Sequence, residues 1–413
     1  MKLLSHHELL ILLLSLGVML ICGRIVAELG KKLKLPMVLG ELLVGVVLGP
    51  TILGEFFPAT FNYLFPLNSN VGFALDGLFN LAVVLLLFVA GMEVQLPMVF
   101  KQGRIAIYTS IFSMIIPFGT GFGVAWLFPG IFGVGSEGTP HLLFALFLGT
   151  ALSISALPVI AKILMDMNLF KTKVGTLIIA SAMFDDLIGW LVFSLILGLN
   201  NKSADFASIA YTILYILGFG LFMLTVGKRI IDKSLPWIQT KLSWPGGVLA
   251  AALGVCLLCA TFTLSINLHA ILGAFIAGIA FGDSVHLHEK AREIIHQFVM
   301  NFFAPLFFVS IGLKVNFIDN FDSLIVLIVI VFSYIGKVTG ASLGAYWGGM
   351  SKNNALAVGF GLNARGAMEI ILGTLALNAG LIKPPVFVAL VIMALLTSLT
   401  SGPLMRLFID KEG

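Results

Sequence analysis

Apolar runs of roughly 17–25 residues follow one another along almost the whole chain, each long enough to cross about 30 Å of hydrocarbon as an α-helix. A helix satisfies its own backbone hydrogen bonds inside a bilayer, which an open strand cannot do. A closed β-barrel would instead show segments of about ten residues with weak alternation. Composition agrees: of 413 residues, 59% are hydrophobic and 11% charged, whereas a soluble domain is about a quarter charged. The chain therefore reads as an all-α integral membrane protein embedded in a lipid bilayer. The first run, HELLILLLSLGVMLICGRIVAELG, is followed by no small-residue cleavage site, so it is expected to be a retained span. Cys22, Cys256 and Cys259 all lie in apolar runs, which argues against a disulfide framework, a metal site or a redox role.

With Gly, Pro and charge clusters as breaks, thirteen transmembrane helices are expected, at 8–28, 36–53, 76–93, 104–128, 141–164, 172–199, 206–227, 245–264, 267–282, 300–314, 321–348, 354–379 and 384–406. Alternate loops then divide the 24 Lys and Arg very unequally. One side collects Lys31, Lys32, Lys34, Lys101, Arg104, Lys162, Lys171, Lys173, Lys228, Arg229, Lys233, Lys241, Lys290, Arg292, Lys352, Arg406 and Lys411. The other collects Lys2, Lys202, Lys314 and Lys383, while Arg24, Lys337 and Arg365 stay at membrane depth. The positive-inside rule makes the rich side cytoplasmic, with the N-terminus outside and the C-terminus inside.

Span two contains LGELLVGVVLG (39–49) and span nine LGAFIAGIAFG (272–282), with glycines at 40, 45 and 49 and at 273, 278 and 282. Small residues at such spacing let helices approach closely. The two spans run in opposite directions, so the chain reads as two inverted six-helix repeats, spans 1–6 and 8–13, joined by span seven. Inverted repeats are a recurrent plan of secondary transporters, with a binding site near the midplane.

Two spans carry interruption signals. Span five reads LFLGTALSISALPVIAKIL, with Gly149, Thr150, Ser153, Ser155 and Pro158 at membrane depth. Its repeat counterpart, span twelve, reads AVGFGLNARGAMEIILG, with Gly359, Gly361 and Gly366 around Asn363 and Arg365. A proline removes a backbone donor and hydroxyls can satisfy groups left open, so discontinuous helices are expected in both.

Ionisable residues at depth are few: Glu41, Asp185, Asp186, Lys337, Arg365 and Glu369, with Glu93 near a span end. Each costs on the order of 2.5–3.5 kcal/mol to insert, so they should face one another, open backbone or water. Arg365 and Glu369 stand four apart on span twelve and suit a structural charge pair. Asp185 and Asp186, in ASAMFDDLIGW, point about 100° apart on a helix, so one carboxylate can pair with a protein cation while the other faces a cavity. Lys337 is the lysine at mid-membrane. A desolvated lysine can release its proton, which arginine cannot. Burial favours a neutral carboxyl, so protons and small cations would compete for the remaining aspartate.

GTALSISALPVIAKIL followed by ASAMFDDLIGW, PLFFVSIGLKVN (305–316), Lys337 and GLNARGAMEIILG (361–373) resemble the monovalent cation:proton antiporter-2 family over the whole chain. The family includes paired-aspartate sodium/proton antiporters and glutathione-gated potassium efflux systems. The resemblance implies a homodimer working by rigid-body alternating access, with crossed discontinuous helices in spans five and twelve. It implies a dimerisation domain (1–95 and 245–315), a core ion-translocation domain (104–200 and 321–409) and a linker helix (206–228). It also implies that Asp186 binds proton and, transiently, Na⁺, that Asp185 holds Lys337, and that the hydroxyls and backbone of Thr150, Ser153 and Ser155 line the site, with Asn363 beside them. The paired form goes with electrogenic exchange of two protons per cation. The chain ends at Gly413 with no GxGxxG after the last span, which favours the sodium/proton type over potassium efflux systems or reflects removal of a cytosolic domain.

The expected function is thus Na⁺/H⁺ exchange across the cytoplasmic membrane. Carboxylates and hydroxyls do not by themselves select Na⁺ over K⁺, so K⁺/H⁺ exchange is the nearest alternative, and a non-transporting sensor the next. No nucleophile–base pair or metal motif occurs in the loops, so no enzyme activity, cofactor or nucleic-acid partner is expected. HLHEKAREIIHQF (286–298) carries His286, His288 and His296, which could sense pH, although such a stretch also suits a basic interfacial helix.

Overall fold

The computed structural model describes residues 4–32, 37–66, 69–94, 103–134, 140–167, 169–170, 172–200, 206–266 and 268–409. Among these the chain is helical, with no β-strand. The main helices are α1 (His6–Lys32), α2 (Met37–Leu48), α3 (Asn70–Glu93), α4 (Arg104–Leu127), α5 (His141–Ser153), α6 (Leu157–Asp166), α7 (Lys173–Asn200), α8 (Phe206–Phe222) and α9 (Lys228–Lys241). They continue with α10 (Gly246–Ser265), α11 (Ala270–Gly282), α12 (Glu289–Phe298), α13 (Ala304–Lys314), α14 (Ser323–Gly348), α15 (Lys352–Leu362), α16 (Ala367–Asn378) and α17 (Pro384–Phe408).

Among the described residues, eleven helical segments are long and apolar enough to cross a membrane, and twelve if α15 and α16, bent by 47° at their break, cross as one. The segment read as span nine is α11, an apolar helix of 13 residues in which every residue is buried. Large apolar side chains stand on the outside of the helices, such as Leu10, Leu14, Ile21 and Ile25 along one face of α1. Such a stripe suits contact with lipid and not with water. Of the charges used to orient the chain, Lys2, Lys34, Lys101, Lys171, Lys202 and Lys411 lie outside the described residues.

The chain divides into two compact units, Met1–Val94 with Leu217–Asn320 and Gln95–Ile216 with Phe321–Gly413. In the first unit the two glycine triplets occupy equivalent places. Gly40 of α2 lies against the backbone of Ala27 in α1, and Gly45 and Gly49 lie against Val309 and Gly312 of α13. Gly273 of α11 lies against Cys259 of α10, and Gly278 and Gly282 lie against Phe88 to Met92 of α3. At both Gly45 and Gly278 a Cβ would collide with a carbonyl oxygen of the facing helix. Each triplet thus seats a short helix against its predecessor and one more distant span, with no side chain holding the backbones apart.

In the second unit a longer stripe does similar work. Gly336, Gly340, Gly344 and Gly348 recur every fourth residue along α14 and face Pro117, Phe112, Tyr108 and Ile105 of α4 in turn, so the two helices run antiparallel in close contact. This stripe places Lys337, its immediate neighbour, beside the proline of α4. Replacing Gly340 by Val should force α14 off the Phe112 carbonyl and lower stability by at least about 1–3 kcal/mol. Gly254→Ala in α10, where an added Cβ meets nothing within 4 Å, should be neutral or stabilising by up to about 1 kcal/mol. Thermal unfolding of the two variants in detergent checks the contrast.

Candidate functional site

Both interruptions expected from the sequence are present in the second unit. α5 ends at Ser153, Ile154 and Ala156 are extended, and α6 starts at Leu157. Pro158 is not itself the break. It occupies the first turn of α6, where a missing N–H costs nothing. α15 ends at Leu362 and α16 starts at Ala367. The two breaks are joined directly: the Ala156 N–H donates to the Ala364 carbonyl at 2.9 Å, and the Ser155 hydroxyl donates to the Leu362 carbonyl at 2.8 Å.

The end of α5 leaves carbonyls without helical partners, and two cations take them. Arg365 donates to the carbonyls of Ala151, at 2.6 Å, and Leu152. Lys337 donates to the carbonyl of Ser153. Cations also suit the negative end of the helix dipole. A further carbonyl is opened in α4, where Pro117 supplies no N–H to Ser113 four residues earlier. The Ser113 carbonyl accepts from Lys337 at 3.0 Å. Lys337 completes its three donors with an ion pair to Asp185 Oδ2 at 2.6 Å, both side chains being fully buried. Its buried charge is thereby hydrogen-bonded in every direction, which a lysine in this setting requires.

Asp185 is as fully engaged as its partner. Oδ1 accepts from the Ser113 hydroxyl at 2.8 Å, and Oδ2 accepts from Lys337 and lies 3.0 Å from the Ser155 hydroxyl. Asp186 is also buried, with 5% exposure, and helical geometry turns it to another side of α7. Arg365 and Glu369 pair at 3.3 Å, again buried. The Arg365 carbonyl accepts from Ser398 of α17, and Asn363 caps α15 with its side chain fully buried.

Of the three hydroxyls expected to line the site, the structure brings only that of Ser155 to a site carboxylate. The Thr150 hydroxyl donates back to Leu146 at 2.8 Å and that of Ser153 to Thr150 at 2.8 Å, so Ser153 meets Lys337 through its carbonyl. Ser113 was absent from the expected set. Its signal was the i, i+4 spacing to Pro117 in an apolar span, which frees a carbonyl at membrane depth. Outside this centre, Glu41 is buried in α2 and the three cysteines are free, with Cys256 and Cys259 buried. The loop histidines diverge: the His286 carbonyl accepts from Gln239, His288 caps α12, and His296 lies 3.6 Å from Glu93.

Taking either partner from the central pair should leave an unmatched buried charge. Asp185→Leu or Lys337→Met alone should lose about 3–5 kcal/mol, while the double variant should recover more than half of that loss. Thermal unfolding of the three purified variants tests this.

The family described as sodium/hydrogen exchanger, transmembrane, matches residues 4–409. Cation/H(+) antiporter 17 of Arabidopsis thaliana is 30% identical over 99% of this chain and 49% of its own length. Na(+)/H(+) antiporter NhaS4 of Synechocystis sp. is 29% identical over 96% of this chain and 97% of its own. K(+)/H(+) antiporter 1 of Saccharomyces cerevisiae is 29% identical over 90% of this chain and 43% of its own. The chain thus spans about half the length of several curated relatives it matches. The sodium proton antiporter MjNhaP1 from Methanocaldococcus jannaschii, solved at pH 8, has the same fold at TM-score 0.65 and 18% identity, over 96% of each chain. The chain belongs to the sodium/hydrogen exchanger family.

Proposed function

We propose that this multi-pass membrane protein of the sodium/hydrogen exchanger family exchanges Na⁺ for H⁺ across the cytoplasmic membrane by alternating access, moving two protons per cation. The observation that carries this reading is the buried Lys337–Asp185 pair beside a second buried carboxylate, Asp186. Relatives named as Na(+)/H(+) and K(+)/H(+) antiporters support cation/proton exchange in general. The choice of Na⁺ rests on the paired aspartates of the sodium/proton type, and K⁺/H⁺ exchange is the competing reading.

The residue roles follow from charge balance. In the proton-loaded state Asp186 is neutral, Asp185 is an anion and Lys337 a cation, so the three groups sum to zero. A cation arriving between the carboxylates displaces the proton of Asp186 and weakens the hold of Asp185 on Lys337, which then gives up a proton of its own. Two carboxylate anions, a neutral lysine and one bound cation sum to minus one. The two loaded forms differ by one charge, so turnover moves charge and responds to membrane potential. The freed carbonyls of Ser113 and Ser153 and the Ser155 hydroxyl give Lys337 and Asp185 neutral partners while the pair is parted. Arg365 and Glu369 hold the two breaks together throughout.

The remaining architecture is proposed on the same footing. Thirteen spans are reached if α11 crosses, and the hydrogen bonds between the breaks support two discontinuous helices that cross at the midplane. The equivalent glycine triplets support inverted repeats. A homodimer with its dimerisation domain at 1–95 and 245–315, a core at 104–200 and 321–409, and an N-out, C-in orientation complete the reading.

Purified protein in liposomes, offered Na⁺, K⁺ and Li⁺ in turn, should move protons with Na⁺ foremost, and Asp186→Asn should abolish the movement. Because two protons compete with one cation, the apparent KM for cation should rise as pH falls, with a limiting slope of about two decades per pH unit. In Lys337→Gln one proton is lost from the count, and the slope should fall to about one. Exchange that survives in Asp186→Asn contradicts the assignment.

A further inference from the structure

The one neutral polar side chain at the span-twelve break is the least satisfied. Asn363 is fully buried, and neither its Oδ1 nor its Nδ2 has a hydrogen-bond partner among the described residues. A primary amide offers two donors and an acceptor, and burying all of them unpaired is unfavourable, whereas an apolar side chain of similar size would sit there without penalty. A buried polar group left open in this way calls for a water, an ion or another ligand to complete it.

The position of Asn363 says which ligand. The carbonyls on either side of it, of Leu362 and Ala364, accept from Ser155 and from the Ala156 N–H of the opposite break. The same Ser155 hydroxyl lies 3.0 Å from Asp185. The backbone entering Asn363 is therefore linked through one serine to the central carboxylate. Arg365 Nε and Glu369 Oε1 also lack partners among the described residues, but their side chains are committed to each other at 3.3 Å.

We propose that the Asn363 amide oxygen is a direct ligand of the translocated monovalent cation and sets the preference among Na⁺, K⁺ and Li⁺. This rests on the exchange reading above. A cation that sheds water at the break needs replacement oxygens, and a neutral amide supplies one whatever the protonation of the carboxylates. An amide oxygen also does not bind a proton at ordinary pH. Asn363 consequently raises affinity for the cation and leaves proton affinity alone, a division no carboxylate can make.

The test uses Asn363→Leu, Asn363→Gln and Asp186→Asn in the full chain, with two readouts. Thermal stabilisation by added NaCl, KCl or LiCl at constant ionic strength reports cation binding without transport, and liposome exchange reports KM and the pH dependence. Asn363→Leu should fold at least as stably as wild type, raise the cation KM about tenfold or more, lose most of the cation-dependent stabilisation, and keep the pH at which protons half-inhibit a saturating cation scaled only by the change in KM. Asn363→Gln, which moves the oxygen by one methylene, should keep transport and change the Na⁺:K⁺:Li⁺ ratio. A Leu variant with wild-type KM and ion ratio overturns the proposal, and if that variant does not fold, an unchanged ratio in Asn363→Gln does so. A wild-type protein stabilised by cations but moving no protons would instead contradict the exchange reading and leave the ligand assignment to the binding data.

Discussion

The centre of this chain depends on an ion pair that has no water to dissolve in. Lys337 and Asp185 meet at 2.6 Å with both side chains fully buried, and each remaining hydrogen-bonding direction of the pair is taken by Ser113, Ser153 or Ser155. Desolvating two charges is expensive, and good geometry only offsets that expense. A pair so nearly balanced is a weak stabiliser but a ready switch, because a cation at the neighbouring carboxylate changes which arrangement is lower in energy.

The backbone is shaped to serve that pair. Around the pair, helices are broken or depleted of donors after Ser153, after Leu362 and at Pro117. Each opens carbonyls that a lipid-facing helix could not leave exposed. Arg365, Lys337, Ser155 and the Ala156 N–H fill them. The glycine stripe of α14 brings Lys337 within reach of Ser113, since bulkier residues at 336 and 340 would push α14 away from α4. Packing, broken backbone and charge are thus parts of one arrangement, and altering any of them moves the lysine.

Much of this arrangement is legible in the amino-acid sequence. The all-helical membrane architecture follows from apolar runs, and the two interruptions from Gly, Ser and Pro clusters at membrane depth. Asp185, Asp186 and Lys337 stood out because charge in an apolar span is costly. What escaped is equally physical. The Thr150 and Ser153 hydroxyls bond to their own preceding turn, as hydroxyls inside a helix readily do, and it is the Ser153 backbone carbonyl that meets Lys337. Pro158 signals the interruption of span five but lies in the first turn of the new helix, where proline is favoured. Ser113 was hidden because the freed carbonyl belongs to the residue four before the proline and not to the proline. The period-four glycines of α14 were readable, but their partner helix was not, since sequence spacing does not say which face meets which neighbour.

Charge balance at the Asp185, Asp186 and Lys337 cluster is the central claim, and the potential at which exchange halts tests it most directly. Liposomes holding the wild-type protein are given a tenfold Na⁺ gradient with equal pH on both sides, and the membrane potential is set with a permeant ion while proton flux is recorded. Two protons per cation predicts that net flux stops and reverses at about 59 mV, of the sign that opposes the gradient-driven charge movement. Flux in one direction at every potential, as one-for-one exchange requires, would contradict the account.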